Sequence, residues 1–222
     1  VCMAHCLVAP PRTDPGCLTS ITDASGEDGF GGYAFCANSP NTVYILSAEW
    51  PPFAKRALAA SSCEAQARLR EAGRASALPY LSMPAAELFA SVVLPRAFAR
   101  VSQHTRTFAV GDCGPAVGTI DAMHSGNSQM QCVLEAIQCM AGSWVSVKVP
   151  REANLDADRL SHPLELKDVV REAEAAGWLV SLLQPNQSDW DLLQRAIDCP
   201  PATRPRKRPK HQPSRALQPP YS

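Results

Sequence analysis

The sequence predicts an α/β domain built on a five-stranded mixed sheet with helices on its faces. Three observations carry this. Three short apolar runs, separated by Gly- and Asn-containing turns, follow one another between residues 18 and 47. Strand and helix signals then alternate from 82 to 177, as they do where helices cover a sheet. Within that second part, residues 127–141 have clean helical spacing, with Met130, Val133, Leu134 and Ile137 at i, i+3, i+4 and i+7.

Taken in order, residues 1–16 are rich in Pro, Cys and Ala, lack periodicity and read as a linker. Residues 18–23 form the first strand. The turn "SGEDGFG" supplies glycines that tolerate positive φ. The second strand spans 32–36, "NSPN" makes a turn, and "TVYILS" at 42–47 is the third, giving an antiparallel meander. Residues 50–82 are Ala-rich and charged, with a helix around 62–72; the segment is an insertion packed on the side of the domain or a mobile loop. Ser82-Met83-Pro84 starts a helix, with Ser82 at the N-cap and Pro84 in the first turn. Leu88, Phe89, Val92 and Val93 form its apolar face, and Pro95 is expected to kink or end it.

The fourth strand, 107–110, ends at Gly111-Asp112, and a short helix at 115–123 turns Val117 and Ile120 inward. Gly142 closes the helix at 127–141. "WVSVKV" at 144–149 alternates as the fifth strand. Asn154 caps a short helix holding Asp156 and Asp158, and Pro163 ends it. A last amphipathic helix at 164–177 carries Leu166, Val169 and Val170. The domain is thus expected over 17–180, with 181–222 as a Pro-rich basic tail, largely disordered.

Composition narrows the function classes. With 222 residues and a formal net charge of zero, no global field recruits an acidic partner. Charge is local instead: "RPRKRPKHQPSR", 204–215, holds six Lys/Arg and no acid, and suits phosphate contact or nuclear import. Nine cysteines without a C-x-x-C pair read as reduced thiols of an intracellular protein, nuclear or cytoplasmic. Cys2, His5 and Cys6 are part of a metal site or, the favoured reading, free thiols in a loose end. No apolar run approaches the roughly 18 residues of a membrane span, and no signal peptide is visible. The chain begins at Val, which reads as an excised piece of a longer polypeptide or a processed product.

Four carboxylates fall at the edges of apolar elements. Asp23 ends the first strand, Glu87 lies in the first turn of the helix after Ser82, Asp112 ends the fourth strand, and Asp158 lies on the short helix after the fifth. Singly, each reads as a cap or a dipole partner. Converged, they repel one another and resist ionisation unless a cation is present. Hard oxygen donors of this kind suit Mg²⁺.

The motifs "TDAS" followed by "GGYAF", "AELFASVV", "VGDCGPAV" and "VPREANLDADRLS" resemble the ribonuclease H-like domains of retroelement reverse transcriptases, DIRS-like or related. The resemblance spans 18–163, about two-thirds of the chain. It implies a ribonuclease H-like sheet with helices on both faces, and metal ligands at Asp23, Glu87, Asp112 and Asp158 for two Mg²⁺ ions, with Mn²⁺ as a substitute. It also implies cleavage of the RNA strand of an RNA–DNA hybrid, in the company of flanking reverse transcriptase domains of the same polyprotein.

Asp156 competes with Asp158, but two helical positions are about 200° apart, so both cannot face the same metals. The Asn154-x-x-Ala157-Asp158 frame favours Asp158, and Asp121 and Glu152 are lesser candidates. Lys148, Arg151 and Arg159 flank the last ligand and are read as phosphate contacts or as plain surface charges. Many cellular ribonucleases H carry a His just before the last Asp; here that stretch is "KVPREAN", and His124 and His162 lie elsewhere. The alternative function is a catalytically inactive connector or nucleic-acid-binding module of the same fold.

Overall fold

The computed structural model describes residues 16–61 and 79–199. The linker at 1–15, the helix expected around 62–72, the Cys2/His5/Cys6 group and the basic stretch 204–215 lie outside the described residues. Within them the chain forms an α/β structure with a six-stranded mixed sheet and seven α-helices. The strands are β1 (Cys17–Ala24), β2 (Gly29–Cys36), β3 (Thr42–Glu49), β4 (Arg106–Gly111), β5 (Ser143–Lys148) and β6 (Leu179–Leu183). The helices are α1 (Pro52–Ala60), α2 (Met83–Ala99), α3 (Gly114–Ala122), α4 (Ser128–Gln138), α5 (Leu155–Leu160), α6 (Leu166–Ala175) and α7 (Gln187–Asp198).

Strand order is β5-β4-β1-β2-β3-β6. The meander β1–β2–β3 is antiparallel, whereas β4 runs parallel to β1, β5 to β4 and β6 to β3. The expected five strands are all present and β1 is interior. The sixth strand is a correction: it pairs with β3 at residues read as the end of the domain, beyond its last helix, and the start of the tail. Helix α7 extends the correction, since 187–198 belong to the folded unit. Its signal is in the chain, because Asn186 and Asp189 make a reciprocal capping box ahead of the buried Leu193 and Ile197. Helix α1, with Pro52 at its start, is a further difference, since the segment from residue 50 is expected to be helical only around 62–72.

Period-two alternation in the meander separates two cores. Phe30, Ala34, Tyr44 and Leu46 join the larger cluster with α1, α2, α3, α4 and α7. Tyr33, Phe35, Val43 and Ile45 face the other way, against α5 and α6. Helices therefore cover both faces. Helix α2 lies across β1 and β2 and is buried nearly all round. Between Ala85 and Phe98 only Glu87 and Arg96 escape full burial. The apolar stripe expected there is thus a whole buried helix. Pro95 does not end it, and α2 runs on to Ala99. Packing of the residues on either side of Pro95 outweighs the lost hydrogen bond and the ring clash, which together cost about 3 kcal/mol. Ser82 sits at the N-cap position without a side-chain capping bond.

Arg96, on α2, is answered from the far end of the chain. Its Nε donates to Asp189 Oδ1 at 2.8 Å, and Arg100 Nη1 donates to Asp189 Oδ2 at 3.0 Å. Asp189 is fully buried and also caps α7. On the opposite face, α5 comes down hard on the sheet at Gly31. A Cβ there would lie 2.2 Å from the Leu160 carbonyl oxygen, which also accepts the Ser47 hydroxyl at 2.6 Å. Only a residue without a side chain permits that approach.

Replacing Gly31 by Ala should therefore push α5 off β2 and lower unfolding free energy by about 1–3 kcal/mol. Urea unfolding checks this; an unchanged midpoint would mean that α5 is seated by other contacts. Asp189→Ala leaves two guanidiniums without their buried partner and should cost about 3 kcal/mol in the same measurement.

Candidate metal centre

The parallel β1–β4 pairing sets Ile21 opposite Val110, so Asp23 and Asp112 leave the same end of adjacent strands two residues further on. This is the carboxyl end of parallel strands, where open α/β sheets gather their ligands. Glu87 approaches from α2. It stands in the second turn, not the first as expected, and it points inward from a helix with no solvent-facing stripe. Carboxylate oxygens of Asp23, Glu87 and Asp112 all lie within 4.8 Å of one another.

Asp158 completes the set more loosely. It reaches the same cavity, of about 440 Å³, from α5 but lies outside the tight cluster. Its Oδ1 is 3.5 Å from Arg151 Nη2. Asp156 points elsewhere, buried and 3.7 Å from Arg159, as the helical offset requires. Asp121 is taken by the Ser146 hydroxyl at 2.5 Å, and Glu152 is exposed on a short 3₁₀ turn.

Hydrogen bonds hold the ligand set in place. The Asn154 side-chain amide donates to the Thr22 carbonyl at 3.2 Å and to Asp23 Oδ1 at 3.4 Å. Asn154 therefore spends its side chain on β1 and does not cap α5 as expected. Ser161 adds a hydrogen bond to Asp23, and the Ala24 N–H adds one to Glu87. Thr22 and Ser91 meet at 3.0 Å beneath the cluster, and Ser91 also bonds the Glu87 carbonyl at 3.0 Å.

Electrostatics reflect the crowding. Burial, then the neighbouring Asp112 and Asp158, push the Asp23 carboxyl up to about 7. Burial, then Asp23 and Asp112, push Glu87 up to about 9. Arg151 and the hydrogen bonds from Ser161 and Ala24 oppose these shifts without cancelling them. The donors are all hard oxygens, and a divalent cation would remove the repulsion that raises both groups, so the residues fit Mg²⁺ or Mn²⁺.

Of the expected phosphate contacts, only Arg151 lines the cavity. Lys148 extends the end of β5, exposed, with its ammonium near Gly114 at the start of α3. Arg159 is a correction. Its guanidinium makes a two-pronged pair with Glu172 at 2.8 and 2.9 Å and bonds Glu165 at 3.1 Å, which tethers α5 to α6. Sequence reasoning also missed two lining residues. Ser161 follows the Asp158 motif directly. His162, set aside in the sequence, stands at the rim with Nδ1 2.6 Å from Asp28 Oδ2 in the β1–β2 turn. That pairing spans 134 residues and leaves no local signal.

No protein-family model, curated protein or solved structure matches the chain.

The raised carboxyls fix the sign of a pH effect. Between their unfolded values, 3.8 and 4.5, and their folded values, about 7 and about 9, Asp23 and Glu87 bind more protons in the folded state. Their contribution is fully present below about pH 4 and is lost as pH rises through 7 and then 9. The metal-free protein should melt at progressively lower temperature from pH 5 to 9, and millimolar Mg²⁺ or Mn²⁺ should flatten that slope. At pH 8, Asp23→Asn should raise the metal-free melting temperature by about 2–4 °C, the shift expected for about 1 kcal/mol at this chain length. Scanning calorimetry in chelator and in Mg²⁺ reads both effects; a melting temperature indifferent to pH and cation would contradict them.

Proposed function

We propose that the protein is a ribonuclease H-like, two-metal phosphodiester hydrolase that cuts the RNA strand of an RNA–DNA hybrid. The observation that carries the reading is the convergence of Asp23, Glu87 and Asp112 within 4.8 Å, with Asp158 lining the same cavity. The sheet order supports it, because an antiparallel meander followed by parallel β4 and β5 brings the two strand-end aspartates side by side. The motif resemblance supplies the substrate class, the retroelement setting and the expectation of neighbouring reverse transcriptase domains.

Asp23, Glu87, Asp112 and Asp158 would hold two Mg²⁺ ions, which when bound supply an activated water and stabilise the leaving 3′-oxygen. The chain's own groups do the rest. The Asn154 amide donates to the Asp23 carboxylate from one side at 3.4 Å. Glu87 enters the cavity from α2. Arg151 is mostly exposed and loosely held by Asp158, and a phosphate at the cavity mouth would compete for its guanidinium. Recognition would rest on the shape of the hybrid and its 2′-hydroxyls, not on base sequence.

A labelled RNA–DNA hybrid incubated with Mg²⁺ or Mn²⁺ tests the reading. Wild type should cleave the RNA strand and spare a DNA duplex of the same sequence. Asp23→Asn should lower the rate by more than about 100-fold, beyond the 10–100-fold typical of losing a supporting group. Asp158→Asn should be much more damaging than Asp156→Asn, whose partner is Arg159 and not the cavity. Absence of cleavage together with absence of millimolar metal binding would favour the inactive connector.

A further inference from the structure

Carboxylates from the sheet follow one another along a single rim. In strand order they are Asp112 just beyond β4, Asp23 near the end of β1, Asp28 in the turn before β2 and Glu49 at the end of β3. The antiparallel register puts them on the same rim, since Asp23 lies opposite Gly31 and Gly29 opposite Glu49. Asp112 and Asp23 open into the metal cavity. Asp28 and Glu49 line a second cavity of about 160 Å³, together with Lys55, His162, Pro163 and Leu164. His162 lines both cavities, so the two adjoin. We propose that the second cavity is a ribose subsite: it takes the sugar of an RNA-strand nucleotide beside the cleaved bond, with Asp28 and Glu49 accepting from the sugar hydroxyls and Lys55 meeting the phosphate. The assignment rests on the nuclease reading and names the residues that would make the site prefer RNA.

The lining suits a sugar and not a bare anion, because two carboxylates would repel a free phosphate. Each carboxylate gives one oxygen to a cationic side chain or imidazole. Asp28 Oδ2 accepts from His162 Nδ1 at 2.6 Å, and Glu49 Oε2 lies 3.8 Å from Lys55 Nζ. The other oxygen of each has no hydrogen-bond partner among the described residues and can accept from a hydroxyl. The Lys55–Glu49 separation is too long for a hydrogen bond, so the exposed ammonium can turn to a phosphate at the cavity mouth. Pro163 and Leu164 supply an apolar wall, and Leu164, 94% exposed, would be covered by the face of a sugar ring. The volume is well below that of a drug-sized pocket and suits one sugar. The acceptors are set in advance. Buried Trp50 donates its backbone N–H to the Asp28 carbonyl at 3.1 Å and its indole N–H to the Ser25 carbonyl at 2.7 Å. The Ser25 hydroxyl in turn accepts the Asp28 N–H at 3.3 Å. The Glu49 backbone is held by the β2–β3 ladder. Strands β1 and β3 are two strand spacings apart, about 10 Å, so one nucleic-acid strand along the rim reaches both cavities. A sugar without its 2′-hydroxyl would leave a carboxylate oxygen unmatched, which is how a polar pocket rejects the deoxy analogue.

The test reads binding apart from cleavage. The full chain carrying Asp23→Asn is titrated in Mg²⁺, by fluorescence anisotropy, against an RNA–DNA hybrid and against the same hybrid with 2′-fluoro sugars, which keep the strand's shape and lack the hydroxyl donor. Wild type is assayed for cleavage in parallel. The hydroxyl-bearing hybrid should bind more tightly, and adding Glu49→Ala should reduce that preference roughly tenfold, the loss of one hydrogen bond to a charged acceptor. Adding Lys55→Ala should weaken both hybrids alike and lower the salt slope by about one. Both side chains are exposed, so neither change threatens the fold. Cleavage by wild type with the preference untouched by Glu49→Ala, or with the salt slope untouched by Lys55→Ala, would overturn the subsite and leave the nuclease reading standing. A protein that neither binds nor cuts the hybrid would overturn both. Displacement of the hybrid by an equal concentration of adenosine monophosphate would assign the cavity to a free ribonucleotide and overturn the strand assignment.

Discussion

Mutual repulsion among Asp23, Glu87 and Asp112 is the constraint around which the rest of the structure is organised. Three carboxylates within 4.8 Å, one of them almost completely buried, are held together against their own charge. Two come from adjacent strands of one sheet, whose ladder hydrogen bonds prevent them from separating. The third comes from a helix that cannot rotate away, because every other side of it is packed. Neutralisation is left to protons, which accounts for the raised acidities of Asp23 and Glu87, or to a cation. A site that stores repulsion in this way needs rigid supports, and the supports are visible: Asn154, Ser161, the Ala24 amide and the Thr22–Ser91 pair all act on the cluster or the backbone that carries it.

The polar residues of α2 show the same economy. An otherwise buried helix keeps two charged groups, and each has a distinct use. Glu87 enters the cavity at one end. Arg96 is neutralised near the other end by Asp189, which is itself fixed by Arg100 and by the first turn of α7. Arg159 does for the smaller core what Asp189 does for the larger one, joining α5 to α6 through Glu172 and Glu165. Charge that looked available for a partner is consumed in assembling the fold.

Much of this was legible in the chain. The meander, the strand-end positions of Asp23 and Asp112, the helix with Met130, Val133, Leu134 and Ile137 inward, and the turn of Asp156 away from the face of Asp158 follow from local pattern, and the structure has them. Three errors have particular causes. Pro95 reads as a breaker because propensity is local, whereas its helix is stabilised by packing from the sheet and from α4 and α7. Residues 181–198 read as tail because a five-stranded expectation closed the domain at 180, although "WLVSLL" and the Asn186–Asp189 capping box were there to be read. Arg159 reads as a phosphate contact because its partners lie 6 and 13 residues away on elements whose orientation no spacing rule gives. His162 belongs to the same class, since its partner Asp28 sits in a turn at the opposite end of the domain sequence.

The clamp between Arg96 and Asp189 has a consequence for the order in which the chain matures. The two residues are 93 positions apart, and β6, which completes the β3 edge, likewise joins residues more than 130 apart. During vectorial synthesis, the meander and α2 emerge long before either partner exists. Until then Arg96 and Arg100 lack their carboxylate and β3 presents an open edge, the kind of surface that invites association with other chains. The helix that carries Glu87 is thus completed by a segment made long after it. A polypeptide cut near residue 180 would retain all four cavity carboxylates in its sequence and still lack the means to hold their helix in register.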